Sequence, residues 1–225
     1  LVAGHSLGEY SALVTSGALS FSEGVHLVRM RGKFMQEAVP VGEGGMAAVI
    51  GLERSRVKEL CERAADKEVL VPANFNSPDQ IVISGHLSAV NRAIPMAKEM
   101  GAKRAVKLEV SAPFHSPLME SAGKRLAEEL KKVQIKELKI PVVTNVEAEP
   151  NSDPSRVKEL LVRQVSSPVL WEDSVRKMVQ MGTEIFVEIG PKRVLCGLLR
   201  KIAPEKKALN FEVADDLHKL KEVLT

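Results

Sequence analysis

The residues best suited to chemistry begin near the N-terminus, where Ser6 is flanked by Gly4 and Gly8. A short apolar run precedes this Gly-x-Ser-x-Gly pentapeptide, and a helical pattern follows it. A strand, a sharp turn and a helix in that order are typical of a nucleophile elbow, which holds a serine in strained dihedrals and exposes its hydroxyl. The backbone N–H of Leu7, at the start of the helix, is then predicted to stabilise an oxyanion. The alternative is a chance match in a loop.

A second candidate is Arg31, in a segment that predicts a helix from an N-cap at Ser22 to about Ala38. On a helical wheel the apolar side chains form one arc, and Arg31 falls within it. An inward guanidinium requires a partner, because an unpaired buried charge costs several kcal/mol. The pattern leaves two interpretations open, an internal salt bridge and a site for an anion.

A third candidate is His115, which directly precedes Ser116 and Pro117. Serine followed by proline is typical of an N-cap and a first helical position, and it predicts a helix through about Lys132. His115 therefore lies at the mouth of a helix. From the pattern alone it is either a general base or a structural histidine.

Strands and helices alternate in the segments that must position these residues. Outside residues 45–111 this alternation predicts an open, largely parallel sheet with helices on both faces. Ligands on such sheets lie beyond the carboxyl ends of the strands, the edge at which Ser6 and a turn at Asn145 are predicted. Residues 45–111 follow the order βαββαβ, which is that of a ferredoxin-like unit. We therefore predict a large subdomain of residues 1–44 and 112–225, with 45–111 as an inserted small subdomain.

Composition excludes several classes of function. Of the 225 residues, 44% are hydrophobic and 27% charged, and no apolar run is long enough to span a bilayer. A net charge of +3 and only 4% aromatic residues give no argument for nucleic-acid binding. Two cysteines in helical patterns, Cys61 and Cys196, fit a reducing compartment and predict a cytoplasmic protein. Neither metal-ligand spacing nor a Gly-rich phosphate loop occurs, so no metal or cofactor is expected.

The sequence begins with its central strand. A strand that opens at residue 1, with no preceding element, leads us to expect that an N-terminal part of the domain is missing from this sequence. Any targeting signal would be missing with it.

Five stretches together resemble the malonyl-CoA:acyl carrier protein transacylases of fatty acid synthesis. They occur in the order and at the spacing of that family over the whole chain. They are Gly4–Ala12 (GHSLGEYSA), Met30–Gln36 (MRGKFMQ), Asn74–Pro78 (NFNSP), Pro113–Ser116 (PFHS) and Val187–Pro191 (VEIGP). The resemblance implies an α/β-hydrolase-like large subdomain with a parallel sheet and an inserted ferredoxin-like small subdomain.

The resemblance also implies roles for particular residues. Ser6 would be the nucleophile that takes the malonyl group, and His115 the general base and later acid. Arg31 would bind the malonyl carboxylate. The backbone carbonyl of Gln164, in place of a carboxylate, would orient His115, and Asn76 would line the same cleft.

The implied partners are malonyl-CoA and an acyl carrier protein, with no nucleic acid, no membrane and no cofactor. The sequence departs from the family at one point: it has no counterpart of a Gly-Gln-Gly-Ser-Gln segment whose glutamine donates a second oxyanion N–H. Loss of one such donor costs about 10²- to 10³-fold in rate. Two alternatives remain open, a serine hydrolase such as a thioesterase and a truncated fragment without activity.

Overall fold

The structure, a computed structural model, describes residues 1–110, 112–218 and 221. It is a mixed α/β protein that divides into two compact units, residues Leu1–Ser174 and Val175–Thr225. We call these the first unit and the second unit. The first unit contains all of the predicted catalytic and binding residues.

The first unit opens with strand β1 (Val2–Ala3), helix α1 (Gly8–Thr15) and helix α2 (Phe21–Glu37). The N-cap of α2 is Ser20, so the prediction of Ser22 is wrong by two residues. Ser20 is preferred because Glu23 stands three residues after it. The Glu23 backbone N–H donates to Ser20 Oγ at 3.3 Å, and the Ser20 backbone N–H donates to Glu23 Oε2 at 2.8 Å, which forms a capping box.

Next comes an antiparallel sheet covered on one face by two helices. Its elements are β2 (Gly44–Ile50), α3 (Arg54–Ala65), β3 (Leu70–Ser77), β4 (Gln80–His86), α4 (Leu87–Glu99) and β5 (Arg104–Lys107). The spatial order of the strands is β3-β4-β2-β5, with Ala47 opposite Ile83 and Ala48 opposite Val106. Apolar side chains of α3 and α4, including Leu60 and Val90, pack against this sheet. Strand β2 begins at Gly44, one residue before the predicted insertion.

The rest of the first unit supplies a second, smaller sheet and two helices. Its elements are a 3₁₀ turn (Pro117–Met119), α5 (Glu120–Lys131), β6 (Val142–Val143), β7 (Pro150–Asn151) and α6 (Pro154–Ser166). Strand β1 pairs with β6 in parallel, and β6 pairs with β7 in antiparallel orientation. The sheet is therefore only half parallel, and β7 was not predicted. The β-branched sequence from Pro141 to Val146 predicts a longer strand, but only Val142–Val143 forms one, because the Thr144 N–H closes a turn onto Glu149 O.

Helices α2, α5 and α6 bury a common apolar core beside this sheet. The core includes Leu27 and Phe34 of α2, Leu126 of α5, Leu161 of α6 and Val142 of β6. Each lies at a position that its helical or strand period directs inward. This packing holds α2, which carries Arg31, against the elements that carry the other candidate residues.

Helix α7 (Trp171–Gln180) contains the boundary between the units. In the second unit, β8 (Ile185–Ile189) and β9 (Lys207–Phe211) pair in parallel, and α8 (Val194–Ile202) connects them. A 3₁₀ turn, Ala214–Asp216, follows β9. The sequence also predicts a polar helix at the end of the chain. It falls largely on residues 219–220 and 222–225, which lie outside the described residues, as does Ser111.

Candidate active site

The turn between β1 and α1 has the geometry of a nucleophile elbow. Ser6 has φ 52°, in the left-handed region that non-glycine residues rarely adopt. A Cβ on Gly4 would stand 1.9 Å from the carbonyl carbon of Gly8, so only glycine allows the strand and the helix to approach this closely. The side chain of Asn145 secures the turn. Its Oδ1 accepts from the Ser6 backbone N–H at 2.7 Å, and its Nδ2 donates to Gly4 O at 2.7 Å.

The turn presents Ser6 to His115. The hydroxyl oxygen of Ser6 lies 2.8 Å from His115 Nε2, and His115 Nδ1 lies 2.8 Å from the backbone oxygen of Gln164. A carbonyl oxygen only accepts, so Nδ1 must carry the proton, which leaves Nε2 free to accept the proton of Ser6. Burial, reinforced by the charge of Arg31, lowers the pKa of His115 to about 3. The imidazole is therefore neutral near pH 7, as a general base must be.

Arg31 reaches the same hydroxyl from α2. Its Nη2 donates to Ser6 Oγ at 2.8 Å and to Gln164 Oε1 at 3.0 Å, while its Nε is buried without a partner in the described part of the chain. No carboxylate of the described residues lies within 4.0 Å of the guanidinium, so the structure does not contain the internal salt bridge that was one of the two interpretations. A buried cation with an unused donor beside a candidate nucleophile favours the other interpretation, an anion site.

A buried carboxyl group lies beneath these residues. Glu9, only 2% exposed, accepts through Oε2 from the Asn145 backbone N–H at 3.0 Å and from Gln164 Nε2 at 2.8 Å. Burial raises the pKa of Glu9 to about 7, although these hydrogen bonds and the charge of Arg31 act to lower it. Glu9 was not predicted as a functional residue. The available signal was an acidic residue on the same helical face as Ala12 and Leu13, which are buried.

Asn76, at the end of β3, is placed beside the elbow but contacts His5 instead of Ser6. Its Oδ1 lies 2.8 Å from His5 Nε2, and the His5 ring packs against Trp171 with centroids 5.6 Å apart. Burial lowers the pKa of His5. The backbone around Asn76 is held in place because the Phe75 N–H donates to Val169 O at 2.9 Å.

Leu7 follows Ser6 at the N-cap of α1, and about half of its surface is exposed. No described residue accepts a hydrogen bond from its backbone N–H, so this donor is free to meet a negatively charged oxygen. Among the residues that the structure describes, no group of three or more His, Cys, Asp or Glu side chains is arranged to hold a metal ion. In the same ranges, none of the helices combines the length and the apolar composition that crossing a bilayer requires.

Comparison with known proteins identifies the family. The model of the acyl transferase domain matches residues 1–220, and the chain belongs to this family. Similar proteins include the malonyl CoA-acyl carrier protein transacylase of Salmonella typhimurium, 50% identical over 202 residues that make up 90% of this chain and 65% of that protein. The transacylase of the same name from Bacillus subtilis is 49% identical over 208 residues, which are 92% of this chain and 66% of that protein. The chain thus spans just under two thirds of the length of these curated relatives.

Solved structures of similar proteins share the fold. The malonyl CoA-acyl carrier protein transacylase of Coxiella burnetii superimposes with a TM-score of 0.97 at 44% identity, over 99% of this chain and 71% of that one. A malonyl-transacylase in complex with a type II PKS acyl-carrier protein superimposes with a TM-score of 0.96 at 41% identity, over 99% of this chain and 72% of that one.

Proposed function

We propose that this protein transfers a malonyl group from malonyl-CoA to the phosphopantetheine thiol of an acyl carrier protein in fatty acid biosynthesis. One observation carries the proposal: a neutral histidine and a buried guanidinium each lie 2.8 Å from Ser6 Oγ. A base on this hydroxyl supports acyl transfer, and a cation beside it supports an acyl group that bears a carboxylate. The names of the relatives support the same substrate and carrier.

The first half of the reaction loads the enzyme. His115 Nε2 takes the proton of Ser6 while Oγ attacks the thioester carbonyl carbon of malonyl-CoA, forming a C–O bond. The backbone N–H of Leu7 donates to the oxyanion of the tetrahedral intermediate. That intermediate collapses with cleavage of the C–S bond, and His115 returns its proton to the departing CoA sulfur.

The second half of the reaction reverses these roles. The carrier's thiol gives its proton to His115 and attacks the carbonyl carbon of the malonyl-serine. A C–S bond forms, the bond to Ser6 Oγ breaks, and the imidazolium protonates the serine. Each proton that His115 takes is returned, so no other co-reactant is needed.

Arg31 supplies the selectivity in this proposal. The malonyl carboxylate is one methylene away from the reacting carbonyl, within reach of a guanidinium that contacts Ser6. A charge-assisted pair forms with malonyl, whereas an acetyl group leaves the buried cation without an anion. The role of Arg31 in binding the carboxylate is part of the proposal. So are the roles of Asn76, which would line the cleft, and of the Gln164 backbone carbonyl, which would orient His115.

We also propose the finer architecture and the location. The element order and the strand order β3-β4-β2-β5 support a ferredoxin-like small subdomain over residues 45–111. The elbow between β1 and α1 supports an α/β-hydrolase-like large subdomain in residues 1–44 and 112–225. Two cysteines that are not bonded to each other, Cys61 and Cys196, fit a cytoplasmic setting.

The proposed malonyl transfer is tested by measuring the intact mass of the full-length protein that the gene encodes. Incubation with malonyl-CoA is expected to add the mass of one malonyl group, and a carrier protein bearing phosphopantetheine is expected to remove it. Ser6→Ala should show no adduct, whereas Ser11→Ala, an exposed serine on the same helix, should label normally. An adduct on Ser6→Ala, or none on the unaltered protein, contradicts the proposal. An adduct that water removes as fast as the carrier does indicates a thioesterase.

A further inference from the structure

The side-chain amide of Gln164 joins two buried groups, the carboxyl of Glu9 and the guanidinium of Arg31. Its Nε2 donates to Glu9 Oε2 at 2.8 Å and to Ser6 O at 3.0 Å, and its Oε1 accepts from Arg31 Nη2 at 3.0 Å. Glu9 and Arg31 form no direct ion pair within the described residues. Their connection therefore runs through one amide group.

Glu9 determines which way this amide faces. Glu9 Oε2 already accepts from the Asn145 backbone N–H, so it is an acceptor and pairs with the NH₂ end of Gln164, not with the oxygen end. Rotating the amide by 180° would set its oxygen against Glu9 Oε2 and Ser6 O and its NH₂ against the guanidinium. All three contacts would become repulsive, and in a buried network such mismatches are costly.

The amide orientation in turn holds Arg31. Nη2 has two acceptors, Gln164 Oε1 and Ser6 Oγ, and these two bonds place it beside the hydroxyl. Without an accepting oxygen from Gln164, the Ser6 hydroxyl would be the one hydrogen-bond acceptor left to the guanidinium among the described residues, and that hydroxyl also pairs with His115. The guanidinium would then be poorly fixed in the direction of the acyl group.

We propose that Glu9 is a positioning residue for acyl selectivity: it fixes the amide of Gln164, and that amide holds Arg31 where a carboxylate on the acyl group would bind. This inference rests on the proposed function. Glu9 touches neither Ser6 Oγ nor His115 in this arrangement, so its effect reaches them only through Gln164 and Arg31. Its contribution is separable from that of the serine and histidine pair.

The test substitutes Glu9→Gln, which keeps the size of the side chain but lets it present either a donor or an acceptor to Gln164. We measure kcat/KM for transfer from malonyl-CoA and from acetyl-CoA, together with the rate at which a neutral fluorophosphonate labels Ser6. The malonyl-to-acetyl ratio is expected to fall about 10-fold or more, the size of effect seen within one hydrogen-bond network. The labelling rate is expected to fall by a smaller factor than the ratio, because Ser6 and His115 keep their direct contact while only the position of Arg31 changes.

Two further variants separate positioning from general damage. Glu172→Gln removes a buried glutamate that pairs with Arg54, and it should leave the ratio unchanged. In an Arg31→Met background, Glu9→Gln should cause no additional loss of the ratio, because the group that it positions is gone. If Glu9→Gln does not fold, Gln164→Leu, which keeps the backbone carbonyl, should lower the ratio in its place.

Specific outcomes overturn the inference. A ratio unchanged by Glu9→Gln, or an equal loss for malonyl and acetyl transfer, shows that Glu9 has no part in selectivity. A full additional loss in the Arg31→Met background shows that it acts by another route. If the unaltered protein forms no malonyl-serine, the proposed function fails and this inference fails with it. If Arg31→Met loses selectivity while Glu9→Gln keeps it, only this inference fails.

Discussion

Ser6 Oγ meets two neighbours with opposite effects on proton transfer. The guanidinium of Arg31 stabilises negative charge on the oxygen, which favours loss of its proton. The same guanidinium lowers the pKa of His115, which makes the imidazole a weaker proton acceptor in the proposed reaction. Burial makes the larger contribution to the low pKa. The imidazole is thereby a weak base, but it remains in its neutral, proton-accepting form at all moderately acidic pH values.

The low pKa of His115 predicts an unusual pH profile. If His115 is the base, as proposed, the rate at which a neutral fluorophosphonate labels Ser6 should remain constant from pH 8 down to about pH 5, because the pKa of His115 is lowered to about 3 and the imidazole stays neutral over that range. In Arg31→Met the fall in labelling rate at acidic pH should begin at a higher pH, because a cation that opposes protonation of the imidazole has been removed. Arg29→Met, an exposed arginine on the same helix, is the control and should leave the decline in place. A decline centred near pH 6.5 in the unaltered protein would contradict this expectation.

Which site residues could be predicted from the sequence depended on whether each one carries a local signal. Ser6 lies in a short motif with a physical signature, and Arg31 is a charge on an apolar helical face, so each carries its own local signal. His115 carries only a position at the start of a helix, and the family resemblance assigned its role. Glu9 and Asn145 act through partners 136 to 141 residues away, and no local pattern encodes such contacts.

At the scale of secondary structure, the elbow depends on how closely β1 and α1 approach. Gly4→Ala would place a methyl group 1.9 Å from Gly8 C and 2.0 Å from Gly8 O, both of them backbone atoms that cannot rotate away. We expect a loss of about 3 kcal/mol or more in the free energy of unfolding, measured by urea denaturation, because overpacking against backbone forces strand and helix apart. Gly8→Ala is the matched control. A Cβ there has nothing within 4 Å, so its stability should change by less than about 1 kcal/mol. Equal losses in the two variants would show that close approach is not the reason for Gly4.

Secondary structure was most predictable where its signals are local. The antiparallel segment of β2 to β5 shows alternating apolar runs and two amphipathic helices, and its element order was predicted. The sheet of β1, β6 and β7 was predicted poorly, since each of its strands has only two residues. Its extent is limited by hydrogen bonds such as Asn145 N–H to Glu9, which take backbone groups away from the sheet.

At the scale of the whole molecule, two buried groups oppose each other in their effect on stability. The pKa of Glu9 is raised from 4.5 to about 7, so the stability that it contributes below pH 4.5 is lost as pH rises through 7. The pKa of His115 is lowered from 6.5 to about 3, so the stability that it contributes above pH 6.5 is lost as pH falls through 3. Between pH 4.5 and 6.5 the native state holds one proton on Glu9 and the unfolded state holds one on the histidine. The two slopes therefore cancel.

Substituting either Glu9 or His115 should leave the pH dependence of the free energy of unfolding that the other residue causes. In Glu9→Gln the free energy of unfolding should rise with pH between pH 5 and 6, by up to about 1.4 kcal/mol per pH unit relative to the unaltered protein. In His115→Asn it should fall with pH over the same interval. Urea denaturation at several pH values measures both slopes. Parallel curves for all three proteins would show that these groups titrate alike in the folded and unfolded states.

The hydrogen bonds to Ser6 also determine when its surroundings can form during synthesis of the chain. Its backbone N–H is held by Asn145 and its backbone oxygen by Gln164, positions 139 and 158 residues further along. A nascent chain emerging from the ribosome displays the serine early but lacks the residues that restrain it. The hydroxyl therefore cannot acquire its full environment until residue 164 has left the exit tunnel.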